Sequence, residues 1–196
     1  MTKNARPQIT GIILSGGRGS RMGGIDKGFA ELAGKPLVEH AITLLRPQVD
    51  SIIISANRET ERYAQYGYLV VRDTDHEFSG PLSGIASCLF HARTPLAMII
   101  PCDMPYLPDD LVMRMHNTLE KNNAEICMAH DGEHLHPVVC LVKTELLEQL
   151  VSDIEAGERK TRAWMEMRKY AVEDFSDQPH AFANVNRPEE LQDSLK

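Results

Sequence analysis

Long apolar runs are missing from this 196-residue sequence. The longest strongly apolar stretches, such as 96–101, fall far short of the ~20 residues that cross a bilayer, so no membrane attachment is expected. No charged-then-apolar leader opens the chain, so secretion is not expected either. Close cysteine pairs are also lacking. Cys88, Cys102, Cys127 and Cys140 lie at least 13 residues apart, a spacing that suits neither a zinc ribbon nor a disulfide scaffold. The expectation is four reduced, mostly buried thiols in a cytoplasmic protein. Positive charge is scarce as well: 21 Lys and Arg face 28 Asp and Glu, and the net charge of −7 argues against a nucleic-acid partner. What remains is 42% hydrophobic and 25% charged, a balance that excludes intrinsic disorder. No repeat, low-complexity tract or Pro/Gly/Ser linker divides the chain, and its length suits one domain spanning residues 1–196.

Short apolar runs alternate with longer amphipathic ones. Ile9–Leu14, Ile52–Ser55, Tyr68–Val71 and Leu96–Ile100 are brief, rich in β-branched residues and bounded by turn formers, as buried parallel strands are. Between them, Leu37, Ala41, Leu44 and Leu45 share one helical face, as do Leu111, Met115 and Leu119. Pro108 with Asp109 and Asp110 reads as a helix start. A helix from roughly Thr144 to Ala156 should stop at Gly157. Segments 124–129 and 137–142 look like further strands, one of them antiparallel. Trp164, Met165 and Met167 read as the packed side of another helix, and Pro188–Leu195 as a final one. Strands separated by helices require crossovers. The expected fold is therefore α/β: one domain with a mostly parallel central sheet and helices on both faces.

Six of the thirteen glycines fall at Gly16, Gly17, Gly19, Gly23, Gly24 and Gly28. Glycines let backbone N–H groups close around phosphate oxygens, and Arg18, Arg21 and Lys27 supply the counter-charge. A loop at a strand's carboxyl end also sits where open α/β sheets bind ligands. Two familiar phosphate motifs fail here. Ile25 stands where the P-loop needs lysine, and Met22 where the dinucleotide motif needs its third glycine. A nucleotide loop of a third kind is left.

Asp73 and Asp103 each follow a strand that should parallel the first, so both should emerge beside the glycine loop. A carboxylate facing a phosphate loop suggests a bridging cation, and magnesium takes one or two carboxylates plus substrate phosphates. Asp103, between Pro101 and Pro105, is the better candidate. Gly80-Pro81-Leu82-Ser83-Gly84 opens a helical stretch to about Ala92 and suits a helix N-terminus against a ligand. His130, His134 and His136 form either a substrate-facing loop or, less well supported for want of further ligands, a zinc site. Asn184 and Asn186 flank Val185 at strand spacing, unless the segment is a polar turn.

These residues together resemble a known family. Leu14-Ser15-Gly16-Gly17 through Arg21-Met22-Gly23-Gly24-Ile25-Asp26-Lys27-Gly28 looks like the signature loop of nucleotidyltransferases with the GT-A-like (Rossmann-like, nucleotide-diphospho-sugar transferase) fold. Gly80–Gly84, Cys102-Asp103-Met104-Pro105, His136-Pro137 and Phe182-Ala183-Asn184-Val185-Asn186 follow in order. The series is similar to the bacterial molybdenum cofactor guanylyltransferases, from Ile9 to Leu191.

The resemblance implies transfer of GMP from GTP to the terminal phosphate of molybdenum-molybdopterin, with release of pyrophosphate. It implies Mg²⁺ as cofactor, with Mn²⁺ as a substitute. A nucleotide-binding part would cover about 9–105 and a molybdopterin-binding part about 106–196. Leu14, Ser15, Gly16 and Gly17 would hold guanine and phosphates, Lys27 the phosphates, and Asp103 the metal, with Asp73, Gly80 and Gly84 lining the nucleotide pocket. Lys27, Asp103 and Arg21 would be catalytic, and His136, Asn184 and Asn186 would face the pterin. Where family members often carry Asn, this chain has Ser55, with Asn57 two residues on. Transient contact with molybdenum-insertion and molybdoenzyme-maturation proteins, a monomeric state and a cytoplasmic location complete the expectation. The alternatives are cytidylyl transfer to molybdopterin, nucleotidyl transfer to a sugar phosphate, or a GTP-sensing module without chemistry.

Overall fold

Alternating apolar residues of the central strands face opposite ways, and helices cover both sides. The computed structural model describes residues 7–15, 26–73 and 80–185. Its elements run β1 (Ile9–Leu14), β2 (Glu31–Leu32), β3 (Lys35–Pro36), α1 (Leu37–Leu45), β4 (Ser51–Ser55), α2 (Thr60–Ala64), β5 (Leu69–Val71), α3 (Pro81–His91) and β6 (Leu96–Pro101). They continue with α4 (Leu111–Lys121), β7 (Ile126–His130), β8 (Leu135–Lys143), α5 (Leu147–Glu155), α6 (Thr161–Glu166) and β9 (Tyr170–Asp174). Ile9 and Ile13 of β1, Ile52 and Ile54 of β4, and Leu96, Met98 and Ile100 of β6 pack under α1, α2 and α4. Their neighbours Ile12, Ile53, Ala97 and Ile99 pack under α3, α5 and α6. The period of two along each strand therefore builds two cores, one on each face.

Seven strands form the main sheet in the order β5-β4-β1-β6-β8-β7-β9. β8 runs antiparallel to both β6 and β7, and the other pairings are parallel. The carboxyl ends of β1, β4, β5 and β6 thus share one edge. The single reversal carries the start of β8, where His136 lies, to that same edge. The main-chain ladder continues past the strand ends: Ser15 N–H donates to Ser55 O at 2.9 Å, Ala56 N–H to Val71 O at 2.9 Å, and Cys102 N–H to Leu14 O at 3.1 Å. The backbone from which the functional side chains depart is accordingly fixed.

The helix faces expected from the sequence are buried: Leu37, Ala41, Leu44 and Leu45 in α1, and Leu111, Met115 and Leu119 in α4. Several expectations need correction. α4 begins at Leu111, with Pro108 and Asp109 ahead of it and Asp110 at the N-cap, whose side chain makes no cap hydrogen bond. Met167 caps α6 and is exposed, whereas Trp164 and Met165 are buried. Asn184 follows a 3-10 turn (Pro179–Phe182) in irregular chain and is not part of a strand. The helix expected at Pro188–Leu195 lies outside the described residues. No helix among the described residues is long and apolar enough to cross a membrane. All four cysteines are free and buried. Burial pushes every thiol up, Cys88, Cys102 and Cys127 to about 12, so none supplies a thiolate at neutral pH.

Candidate active site

The carboxyl edge of the sheet collects most of the residues singled out from the sequence. Lys27 sits in a 3-10 turn (Lys27–Phe29) after the glycine-rich segment, and its ammonium pairs with Asp103 Oδ2. The two side chains are 24% and 15% exposed, so this is a partly desolvated pair, outside the weak surface class. Asp103, just past β6, also holds Val185: its carbonyl accepts the Val185 N–H at 2.8 Å. Val185 is itself buried against Ala30, Leu32 and Leu37. This clip fastens the segment carrying the exposed Asn184 to the backbone of Asp103. Gly16, Gly17, Arg21 and Asn186 lie outside the described residues.

A second group surrounds the end of β4. A Cβ added at Gly84 in α3 would stand 2.8 Å from Ser55 Oγ, 3.3 Å from Asp73 Oδ1 and 3.7 Å from Leu14 Cδ2. Any side chain there would displace the Ser55 hydroxyl, because α3 presses directly on the site wall. Asn57 clamps Asp73 reciprocally: Asn57 Nδ2 donates to Asp73 Oδ2 at 2.8 Å, and Asp73 N–H donates to Asn57 Oδ1 at 2.8 Å. Asp73 Oδ1 is buried with no hydrogen-bond partner among the described residues, and Ser15 Oγ is buried close to the Tyr63 hydroxyl and the Cys102 thiol without a well-formed bond to either. Buried polar atoms in that state are costly unless something completes them, and both belong to the residues expected to line the nucleotide pocket. Gly80 precedes α3 in extended backbone, and among the described residues only the Arg159 carbonyl, 3.8 Å away, is near the position of an added Cβ.

His136 stands on the same edge, on the β8 side. Its Nε2 lies 2.8 Å from Asp131 Oδ2, and its ring stacks on Phe182 with centroids 4.9 Å apart. Desolvation pushes the Asp131 carboxyl upward. Hydrogen bonds from His134 N–H, from His136 and from Glu133 N–H outweigh it and hold the acid well below the usual carboxylate range. An ionised carboxylate only accepts, so the facing Nε2 carries the hydrogen and Nδ1 is the other nitrogen. The three histidines do not converge on a metal. His130 Nδ1 accepts from Gly132 N–H, His134 is exposed, and the described residues contain no group of three or more His, Cys, Asp or Glu placed for an ion.

Asn57, Val185, Asp131 and Phe182 were not singled out from the sequence for these contacts, since only the tertiary structure joins them. Asn57 left a signal there as the amide two residues after the Ser55 position, and Phe182 and Val185 did so as members of the 182–186 motif.

The fold and the edge residues define a class. Residues 11–174 match the family model described as the MobA-like NTP transferase domain, so this is a nucleotidyltransferase. The chain belongs to the molybdenum cofactor guanylyltransferases: it is 47% identical over 185 residues to the protein of that name from Shewanella sediminis, covering 94% of each. It is also 46% identical over 189 residues to the one from Shewanella amazonensis, covering 96% of each. Among solved structures, molybdopterin-guanine dinucleotide biosynthesis protein A of Archaeoglobus fulgidus has a TM-score of 0.77 at 20% identity, covering 94% of this chain and 96% of that one. The 2-C-methyl-D-erythritol 4-phosphate cytidylyltransferase of Thermus thermophilus has a TM-score of 0.67 at 14% identity, covering 92% and 94%. At such identities the likeness to the solved structures concerns the fold alone.

Proposed function

We propose that this chain transfers GMP from GTP to the terminal phosphate of molybdenum-molybdopterin, forming molybdopterin guanine dinucleotide and pyrophosphate. The observation that carries the site assignment is the Lys27–Asp103 pair at the carboxyl edge, with Ser15 and Asp73 further along that edge and Asp73 Oδ1 buried without a hydrogen-bond partner among the described residues. The acceptor's phosphate oxygen attacks the α-phosphorus in line, the new P–O bond forms, and the α–β bridge breaks with its electrons leaving on pyrophosphate. No side-chain base is needed, because a phosphate is already ionised near neutral pH. Lys27, with Arg21, stabilises the charge growing on pyrophosphate. Leu14, Ser15, Gly16, Gly17, Ser55, Asp73, Gly80 and Gly84 hold the nucleotide. His136, Asn184 and Asn186 face the pterin, with His136 Nδ1 directed to it by the Asp131 contact at Nε2. In this reading a nucleotide part (about 9–105) and a pterin part (about 106–196) share one sheet, and the β6–β8 pairing and the Val185–Asp103 hydrogen bond are consistent with a site formed between them.

Asp103 is the residue that would hold Mg²⁺, with Mn²⁺ as a substitute. A single hard carboxylate completed by substrate phosphates fits that ion, which rarely has an all-protein cage. When bound, the ion draws charge from the phosphate oxygens and fixes their geometry. In this reading the protein works in the cytoplasm as a monomer, meeting molybdenum-insertion and molybdoenzyme-maturation proteins transiently. The test is product formation with each of the four nucleoside triphosphates and molybdenum-molybdopterin. GTP is expected to support turnover, and preferred use of CTP would overturn the guanine assignment. Binding of GTP without pyrophosphate release under any acceptor would reduce the chain to a sensor.

Asn57→Ala frees Asp73 from both of its hydrogen bonds to the amide. The expected result is a rise of about tenfold in KM for GTP, the worth of one or two net hydrogen bonds, with kcat little changed. Steady-state kinetics with GTP varied checks it, and an unchanged KM would remove Asp73 or its orientation from nucleotide binding.

A further inference from the structure

The turn that presents Lys27 is pinned from beneath by one hydroxyl. Asp26 caps the turn, and its Oδ1 accepts both the Gly28 N–H, at 3.1 Å, and the Tyr63 hydroxyl. Tyr63 comes from the short helix α2 and is wholly buried. Its ring lies 4.4 Å from that of Phe29, the last residue of the turn, and the Arg62 guanidinium carbon sits 3.8 Å from the Phe29 ring centroid on the same helix. A Cβ added at Gly28 would fall 2.1 Å from the Tyr63 oxygen, so the turn is seated directly on the phenol. Packing alone would be served by phenylalanine. A hydroxyl buried in this core is costly unless it is bonded; it donates to Asp26, the residue adjoining Lys27, and lies close to the Ser15 hydroxyl. Burial first, and then the hydrogen bond to Asp26, push the phenol well above its ordinary range, so it remains a donor.

We propose that Tyr63 is a positioning residue for nucleotidyl transfer: by holding Asp26 it fixes the turn that aims the Lys27 ammonium at the triphosphate and at Asp103. The proposal rests on the reading of Lys27 given above. It explains why a helix remote in sequence spends a buried hydroxyl under the glycine-rich segment's exit.

The test is a double-mutant cycle in the full-length protein, assayed with GTP, Mg²⁺ and molybdenum-molybdopterin, using Tyr63→Phe, Lys27→Ala and the pair together. Tyr63→Phe is expected to lower kcat roughly tenfold, the factor carried by one buried hydrogen bond, with the KM for the pterin unchanged. In the Lys27→Ala background the same substitution should change kcat less than twofold. An equal loss in both backgrounds means that Tyr63 acts independently of Lys27 and overturns the proposal, as does a normal Tyr63→Phe beside an impaired Lys27→Ala. A normal Lys27→Ala instead overturns the reading of the site itself. Should Tyr63→Phe fail to fold, Asp26→Ala takes its place. A loss of similar size that vanishes in the Lys27→Ala background supports the proposal, and wild-type kinetics contradicts it.

Discussion

Asp103→Asn is expected to abolish GMP transfer at ordinary Mg²⁺, with a loss on the order of 10³ or more in kcat/KM, because the carboxylate proposed to hold the metal is also the partner of Lys27. The substitution keeps shape and volume. Its backbone is held independently, since the Asp103 carbonyl accepts from Val185 N–H and the preceding Cys102 N–H donates to Leu14 O. The variant should therefore melt within a few degrees of the parent, so lost activity reports chemistry and not unfolding. Steady-state assays at several Mg²⁺ concentrations, beside a thermal melt, make the comparison. Full activity at ordinary Mg²⁺ would strip Asp103 of its assigned role.

Lys27→Ala is expected to cost on the order of 10²–10³ in kcat, the scale of removing one preorganised electrostatic donor from a transition state. Lys27 is suited to that part because its turn is capped by Asp26 and its ammonium is already fixed by Asp103. Little reorganisation remains when charge develops on the leaving pyrophosphate. Single-turnover rates at saturating GTP separate this loss from weaker binding. A loss below threefold would make Lys27 a structural partner of Asp103 and nothing more.

The parallel strands were legible because burial on both faces writes a continuous apolar run, as in Ile9–Leu14 and Leu96–Pro101. The carboxyl edge followed from parallelism, and with it the neighbourhood of Leu14, Ser55, Asp73, Gly84 and Asp103. The β2–β3 hairpin was not legible. Its turn places Ala33 at φ 53°, a conformation for which alanine carries no sequence signal. β9 gives no apolar run because the inner side of this short edge strand holds only Ala171 and the charged Glu173, while Tyr170 and Val172 are exposed. Within the site, the counter-charge of Asp103 was assigned to a cation alone, whereas the fold also brings Lys27 to it across 76 positions. No spacing rule reports such a contact. Tyr63, Asn57 and Val185 escaped for the same reason: each acts through one hydrogen bond to a residue far along the chain.

The most direct measurement is a crystal structure of the protein with GTP and Mg²⁺. The account places the triphosphate over Lys27 and the ion on Asp103, with Ser15 Oγ and Asp73 Oδ1 partnered by nucleotide at the carboxyl edge of β1 and β5. Guanine nucleotide bound away from that edge, or an ion held by other residues while Asp103 stays paired to Lys27 alone, would contradict it.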